Sequence, residues 1–217
     1  MSLGTLTVIV PMYNCCENVI KTLRKLKDQS ANYAKRLEAI VVDDGSTDNL
    51  VGEVLSECEQ DGFEFYNQVY NKGGAAACNK GIELAHGDYL TFVDADDSIT
   101  DDYLGTILSE IEDKKYDFIT HRWMYPNGDL GGRHEPPLVN WNVWGNVYRT
   151  SLAKPIRFDE DLNVAWDMDW LKRFYAPGMS WLDSAWVTNI YDTSNPESIT
   201  NKFQRGEIKI RKSDTSE

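Results

Sequence analysis

Asp94, Asp96 and Asp97 crowd three carboxylates into four consecutive positions, directly after the apolar run Tyr89-Leu-Thr-Phe-Val93. Carboxylates held that close repel one another, so the cluster makes sense only with a compensating cation. A hard divalent ion with oxygen ligands fits. Mg²⁺ in particular is usually held by one or two carboxylates, with substrate phosphates completing its shell. Upstream, Asn71-Lys-Gly-Gly-Ala-Ala-Ala-Cys-Asn79 reads as a Gly/Ala-rich loop opening a helix. Missing side chains at Gly73 and Gly74 let the backbone approach a ligand, and Lys72 stands beside them to meet phosphate. Together these residues suggest metal-assisted handling of a phosphate or diphosphate.

Two further segments place polar residues at the ends of apolar runs. Pro11-Met-Tyr-Asn14 follows Leu6-Thr-Val-Ile-Val10, and Asp43-Asp-Gly-Ser-Thr-Asp48 follows Leu37-Glu-Ala-Ile-Val-Val42. Asp44 is expected to accept hydrogen bonds from the edge of a nucleobase, and Tyr13 to stack on that base. Ordinary turn chemistry competes here, with Gly45 in the bend and Ser, Thr or Asp capping the next helix. Trp166-Asp167-Met168-Asp169-Trp170 sets two carboxylates among bulky apolar residues at the start of an expected helix. Acidic residues there complement a helix dipole. A partly desolvated one would serve equally as a general base.

The acidic cluster has competing explanations. Counted from Asp94 as an EF-hand calcium loop, position 6 is Ile99 rather than Gly and position 12 is Gly105 rather than Glu, so that reading fails. A solvated acidic turn capping a helix at Asp101 is the plain alternative. Because the cluster abuts a buried strand, the metal reading is preferred. The Gly73-Gly74 loop is neither a P-loop nor a G-x-G-x-x-G fingerprint.

Strands alternating with helices must position these groups. Val19, Ile20, Leu23 and Leu26 share a helical face, and Asp48 or Asn49 is expected to cap a helix carrying Val51, Val54 and Leu55. A short strand is expected around Phe63 to Tyr66. Ala75, Cys78, Ile82 and Ala85 lie on one helix face, and Leu104, Ile107, Leu108 and Ile111 on another. The alternation implies an α/β fold with a mostly parallel sheet covered on both faces. Ligands of such sheets bind outside the carboxyl ends of the strands, where these motifs lie. After about Lys115 the rhythm becomes irregular, and all seven tryptophans fall between Trp123 and Trp186. Of these, Trp141, Trp144, Trp181 and Trp186 are expected in the core, with one or two offering a flat face to a sugar. Residues 5–97 read as a nucleotide-binding half, 98–204 as a half that closes the site, and 205–217 as a loose polar tail of one domain.

The 217 residues carry a net charge of -13, which repels nucleic acid and anionic lipid. No apolar run approaches the roughly 20 residues of a membrane span. The start, Met1-Ser-Leu-Gly-Thr5, lacks the pattern of a signal peptide. Cys15, Cys16, Cys58 and Cys78 have no paired spacing. A reducing cytosol is therefore the expected setting.

Taken together, Thr7-Val-Ile-Val-Pro-Met-Tyr-Asn14, Ile40-Val-Val-Asp-Asp-Gly-Ser-Thr-Asp48, Asn71-Lys-Gly-Gly74 with Asn79-Lys-Gly81, and Asp94-Ala-Asp-Asp97 resemble the inverting family 2 glycosyltransferases of the GT-A fold. The resemblance continues through Val143–Arg149, Arg157-Phe-Asp-Glu160, Trp166-Asp167 and Glu197-Ser-Ile-Thr200. It implies that Tyr13 and Asp44 contact the base of a nucleotide-sugar and that Asp94 and Asp96 form a D-x-D metal site for Mn²⁺ or Mg²⁺. Pro11, Lys72, Gly73, Asn79 and Ala95 are expected along the same donor. Asp167 matches the aspartate of the family's Glu-Asp pair, the catalytic base. Two departures stand out. The glutamate of that pair is Trp166, which leaves Asp169 as a substitute base, and an arginine common before the asparagine of the third block is Cys78.

The expected reaction is inverting transfer of a sugar, with UDP the expected carrier, to a saccharide or lipid-linked saccharide acceptor. A lipid-linked acceptor would be met at the inner membrane surface. Two other classes remain open: a nucleotidyltransferase that makes nucleotide-sugars, and a non-catalytic nucleotide- or sugar-binding module. The first normally shows a Gly-rich basic loop after its first strand, where this chain has Pro11-Met-Tyr-Asn-Cys-Cys16.

Overall fold

The computed structural model describes residues 3–33, 35–131, 142–194, 196 and 198–208. Trp141 and Glu197 therefore lie outside the described residues, as does residue 209 onward of the polar tail. The chain begins β1 (Leu6–Met12), α1 (Cys16–Ser30), β2 (Leu37–Asp43), α2 (Val51–Asp61), β3 (Glu64–Asn67), α3 (Gly74–Leu84), β4 (Tyr89–Phe92). It continues β5 (Ser98–Ile99), α4 (Tyr103–Glu110), β6 (Phe118–Met124), β7 (Leu130–Gly131), β8 (Asn146–Arg149), α5 (Thr150–Ala153), α6 (Trp166–Phe174), β9 (Trp181–Ile190) and α7 (Ile199–Gln204).

Among the described residues the strands form one sheet in the order β3-β2-β1-β4-β8-β6-β9-β5, with β7 beside β6. The first four strands pair in parallel. β8 then runs antiparallel between β4 and β6, while β6 and β9 are again parallel. The sheet has the expected parallel core, extended by antiparallel β8 into a mixed sheet that both sequence halves share. Two reversals of direction leave β1, β2, β4, β6 and β9 pointing the same way, so their carboxyl ends share one edge.

Alternation along β1 explains the two layers. Leu6, Val8, Val10 and Met12 pack with Val19, Leu23 and Leu26 of α1 and with Leu104, Ile107 and Leu108 of α4. Ile9 faces the other way, into Ala75, Cys78 and Ile82 of α3 and Trp170 of α6. This is the period-2 exchange of faces a strand imposes. Gly81 lets α3 lie this close, since a Cβ there would come within 2.3 Å of Ile9 Cγ2.

Several expectations change. Leu55 is 39 % exposed rather than in the core. The residue before α2 is Leu50, neither Asp48 nor Asn49. The Asp48 carboxylate instead accepts from the Leu50 amide (2.9 Å) and from the Cys16 amide that opens α1 (3.3 Å). Trp186 is 66 % exposed rather than buried. Its strand bulges: Thr120 pairs with Asp183 but Arg122 with Val187, leaving extra residues on β9. Trp170, by contrast, is fully buried, stacked on Phe158 at 4.9 Å and on Phe174 at 5.0 Å. Trp144 is buried and stacks on Tyr191, and Trp181 is half-buried.

Candidate active site

The site grows from the shared carboxyl edge of β3, β2, β1 and β4. β1 ends with Pro11 still in register opposite Val42, then turns at Asn14, whose φ of 53° lies in the left-handed region that Asn tolerates. Two hydrogen bonds tie that turn to the one after β2. The Asn14 amide donates to Ser46 Oγ (2.9 Å), and the Thr47 amide donates to Asn14 Oδ1 (2.8 Å). Tyr13, beside it, is 48 % exposed.

Asp43 and Asp44 are both buried. Asp43 accepts from the Ser46 amide (3.0 Å) and from Asn67 Nδ2 (3.0 Å). Asp44 takes one amide on each oxygen, from Lys72 and Gly73, both at 2.8 Å. Its first structural task is thus to clamp the loop that opens α3. Burial holds its carboxyl above the usual range, against the pull of those two amides. Each oxygen keeps a second lone pair, so a further donor can still be accepted. Gly73 needs to be glycine, with φ at 98°, and the N-terminus of α3 lies just beyond it. Lys72 Nζ rests 5.2 Å from the Tyr70 ring centroid.

Asp94 and Asp96 are half-buried at the end of β4, while Ala95 and Asp97 are buried. Burial, then the charges of Asp96 and Asp167, raise the Asp94 carboxyl to about 8. Burial and the Asp94 charge raise Asp97 to about 9. Asp97 Oδ1 accepts from the Asp192 amide (3.0 Å), while its buried Oδ2 has no hydrogen-bond partner among the described residues. Carboxyls raised this far, with an orphaned oxygen among them, are short of positive charge. That donor set suits a hard divalent cation.

Asp167 sits on the first turn of α6, preceded by Ala165 with φ of 58°, a strained conformation for a residue with a Cβ. Burial raises its carboxyl to about 6, partly opposed by the Met168 amide that donates to Oδ1 at 2.8 Å. Asp167 stands within electrostatic reach of the acidic cluster, since its charge is one of those that raise Asp94. Burial pushes the Cys78 thiol well up, and the charges of Asp94, Asp167 and Asp44 add to that. Asp169 does not join them: Arg173 Nε bonds its carboxylate at 2.9 Å one turn along.

Asn79, expected along the donor, turns inward. Its Oδ1 accepts from the Phe158 amide (2.7 Å), and its Nδ2 donates to the Phe158 carbonyl (3.0 Å) and to Glu160 Oε1 (2.7 Å). It pins the segment before α6 to α3. Ala75, Asn79 and Ile82 share a face of α3 by helical spacing. Trp166, in place of the family glutamate, packs edge-on against Phe158 at 5.2 Å and over Gly74.

Known proteins resemble this chain in sequence and in fold. Residues 7–176 match the sequence profile of glycosyl transferase family 2. The glycosyltransferase GlyA of Streptococcus pneumoniae is 33 % identical over 159 residues, 69 % of this chain and 22 % of the relative. The chain thus spans about a fifth of that relative's length. Staphylococcus aureus TarS, solved with UDP, superposes with a TM-score of 0.72 at 24 % identity, over 88 % of this chain and 61 % of that one. The mannosyltransferase PcManGT of Pyrobaculum calidifontis, solved with GDP-Man and Mn²⁺, gives 0.71 at 16 % identity, over 94 % and 61 %. Both share the fold, and with residues 7–176 matched the chain belongs to glycosyl transferase family 2.

Proposed function

We propose that the chain transfers a sugar from a nucleoside-diphosphate sugar, UDP-linked, to an acceptor hydroxyl with inversion, using a divalent cation at Asp94 and Asp96. The observation that carries this reading is convergence: Tyr13, Asp44, the Lys72–Gly73 loop, the acidic cluster and Asp167 meet at one sheet edge. UDP in TarS and Mn²⁺ in PcManGT support the choice of ligands.

Residues 5–97 would hold the donor and residues 98–204 the acceptor. Tyr13 stacks on the base, and Asp44 accepts from its edge while keeping the Lys72–Gly73 loop in place. Lys72 and the open N-terminus of α3 meet the diphosphate. A bound cation supplies charge neutralisation for the departing nucleoside diphosphate. Asp167 takes the acceptor's proton on its carboxylate as the hydroxyl oxygen attacks the anomeric carbon. A single in-line displacement then inverts that carbon.

The acceptor class we propose is a growing surface polysaccharide or a lipid-linked saccharide, met on the cytoplasmic side. No helix among the described residues is long and apolar enough to cross a membrane. Trp166 in place of the family glutamate favours, as a second reading, a nucleotide-sugar-binding module without chemistry. Release of UDP from a panel of UDP-sugars with Mn²⁺, alongside thermal shifts with the same ligands, separates the two. A ligand that binds only the folded state raises the melting temperature. Shifts without release identify the binding module, and neither shift nor release with any nucleoside diphosphate overturns the reading.

A further inference from the structure

Val69 and Tyr70, between β3 and α3, are 93 % and 64 % exposed. Their loop is nevertheless fastened at both ends. The Gln68 amide donates to the Asp43 carbonyl (2.8 Å), and Asp44 holds the Lys72 and Gly73 amides. Between those points the loop backbone lies against the β2 turn: a Cβ on Gly45 would come within 2.6 Å of the Tyr70 carbonyl carbon. An aromatic ring presented to water by a pinned backbone is unlike one on a loose tip.

Tyr13 is presented in the same way on the other side of that turn, fixed through Asn14 to Ser46 and Thr47. Two exposed tyrosines on separately fastened turns thus flank the Asp44–Ser46 segment. In the strand order β3-β2-β1-β4, Tyr70 follows the edge strand and the acidic cluster follows the fourth. With its backbone against the β2 turn, Tyr70 stands two strand spacings, about 10 Å, from the end of β4. A nucleoside diphosphate laid along this edge with its diphosphate at Asp94 and Asp96 carries its base towards β2 and β3. Acceptor saccharide belongs on the opposite side, where Asp167 approaches Asp94 from α6.

We propose that Tyr70 is a second nucleobase-contacting aromatic, supplementing Tyr13. The proposal rests on the nucleotide reading above. Its ring offers an apolar face to a heterocycle of any sequence of donors and acceptors, while Asp44 supplies the directional contact. Lys72 Nζ lies 5.2 Å from the Tyr70 ring centroid, and a base stacked on that ring would turn it towards the diphosphate.

Calorimetric titration of the parent, Tyr70→Ala and Tyr70→Phe with UDP and with inorganic pyrophosphate, each with Mn²⁺, tests this. Loss of one base-stacking ring corresponds to about tenfold in affinity or more. Tyr70→Ala should weaken UDP by that factor and leave pyrophosphate unchanged, and Tyr70→Phe should restore UDP. Equal UDP affinity in Tyr70→Ala and parent overturns the proposal and leaves the nucleotide reading standing. Equal weakening of UDP and pyrophosphate overturns it in favour of a structural role in placing Lys72. Failure of the parent to bind either UDP or GDP removes the nucleotide reading and this proposal with it.

Discussion

Trp166 lies over Gly74, so that a methyl group added to Gly74 would come within 3.1 Å of Trp166 Cζ2. Position 74 opens α3 beside the Asp44 clamp, and position 166 immediately precedes Asp167. The indole that replaces the family glutamate therefore bridges the donor loop and the helix carrying the proposed base.

The pair predicts a coupling in stability. Glycine within a helix costs about 0.5–1 kcal/mol relative to alanine, so Gly74→Ala alone should gain in the backbone and lose against the indole. In a Trp166→Ala background only the gain remains. Denaturant unfolding of both single variants and the double variant should give a coupling of about 1 kcal/mol, with Gly74→Ala more favourable in the second background. Strict additivity would show that the indole gives way freely.

The acidic cluster predicts a pH effect whose sign reverses with metal. With Asp94 raised to about 8 against about 3.9 when unfolded, the folded protein holds an extra proton between those values. Stability from this group is present below about 4 and lost as pH rises through about 8. In EDTA the parent should therefore lose melting temperature over that range more steeply than Asp94→Asn. Metal ligation needs the carboxylate, so Mn²⁺ binding at pH 7 should release protons. Calorimetry in two buffers of different ionisation enthalpy reads that number directly. Equal heats in both buffers, or undiminished UDP affinity in excess EDTA, would dissociate this cluster from metal.

The parallel β3-β2-β1-β4 core was legible because short runs rich in β-branched and aromatic residues, bounded by Pro, Asp or Gly, favour strands over helices. The site motifs followed, since each stands at a strand's carboxyl end. What was not legible depended on contacts distant in sequence. Asp48 looks like a helix cap from its neighbours, but the Cys16 amide brought alongside draws one of its oxygens away. Trp186 looks like core until β9 bulges against β6, and no local residue type marks that bulge. Asn79 belongs to a motif shared with the family, yet its place on the inner face of α3 hands both ends of its amide to Phe158 and Glu160.

Asp44 predicts a loss that combines stability and binding. Asn in its place keeps one acceptor oxygen and turns an NH₂ group against one of the two amides it now holds. A buried amide left without a partner costs about 1–3 kcal/mol. Asp44→Asn should lower the free energy of unfolding by that measure, and the midpoint with it, in the absence of any ligand and should also weaken UDP. An unchanged midpoint would mean that the Lys72–Gly73 loop is held by other contacts.

Asp167 makes the sharpest claim about chemistry. It stands partly desolvated on the first turn of α6, within the electrostatic reach of Asp94, whereas Asp169 is committed to Arg173. Removing a general base harms the chemical step more than donor binding, by about 10²-fold or more. Asp167→Asn should reduce sugar transfer by that factor while UDP affinity stays within about twofold of the parent. Asp169→Asn should do much less, since it loses an exposed ion pair of small worth. The pH profile gives an independent check. A base with its carboxyl at about 6 is protonated and idle in more acid solution, so transfer should fall with pH below about 6 and level off above it. Asp167→Asn should lose that inflection. If Asp169→Asn proves the more damaging change, Trp166 has shifted the base by one half-turn of α6. If neither change slows a working assay, the proton must leave through another group at the same edge.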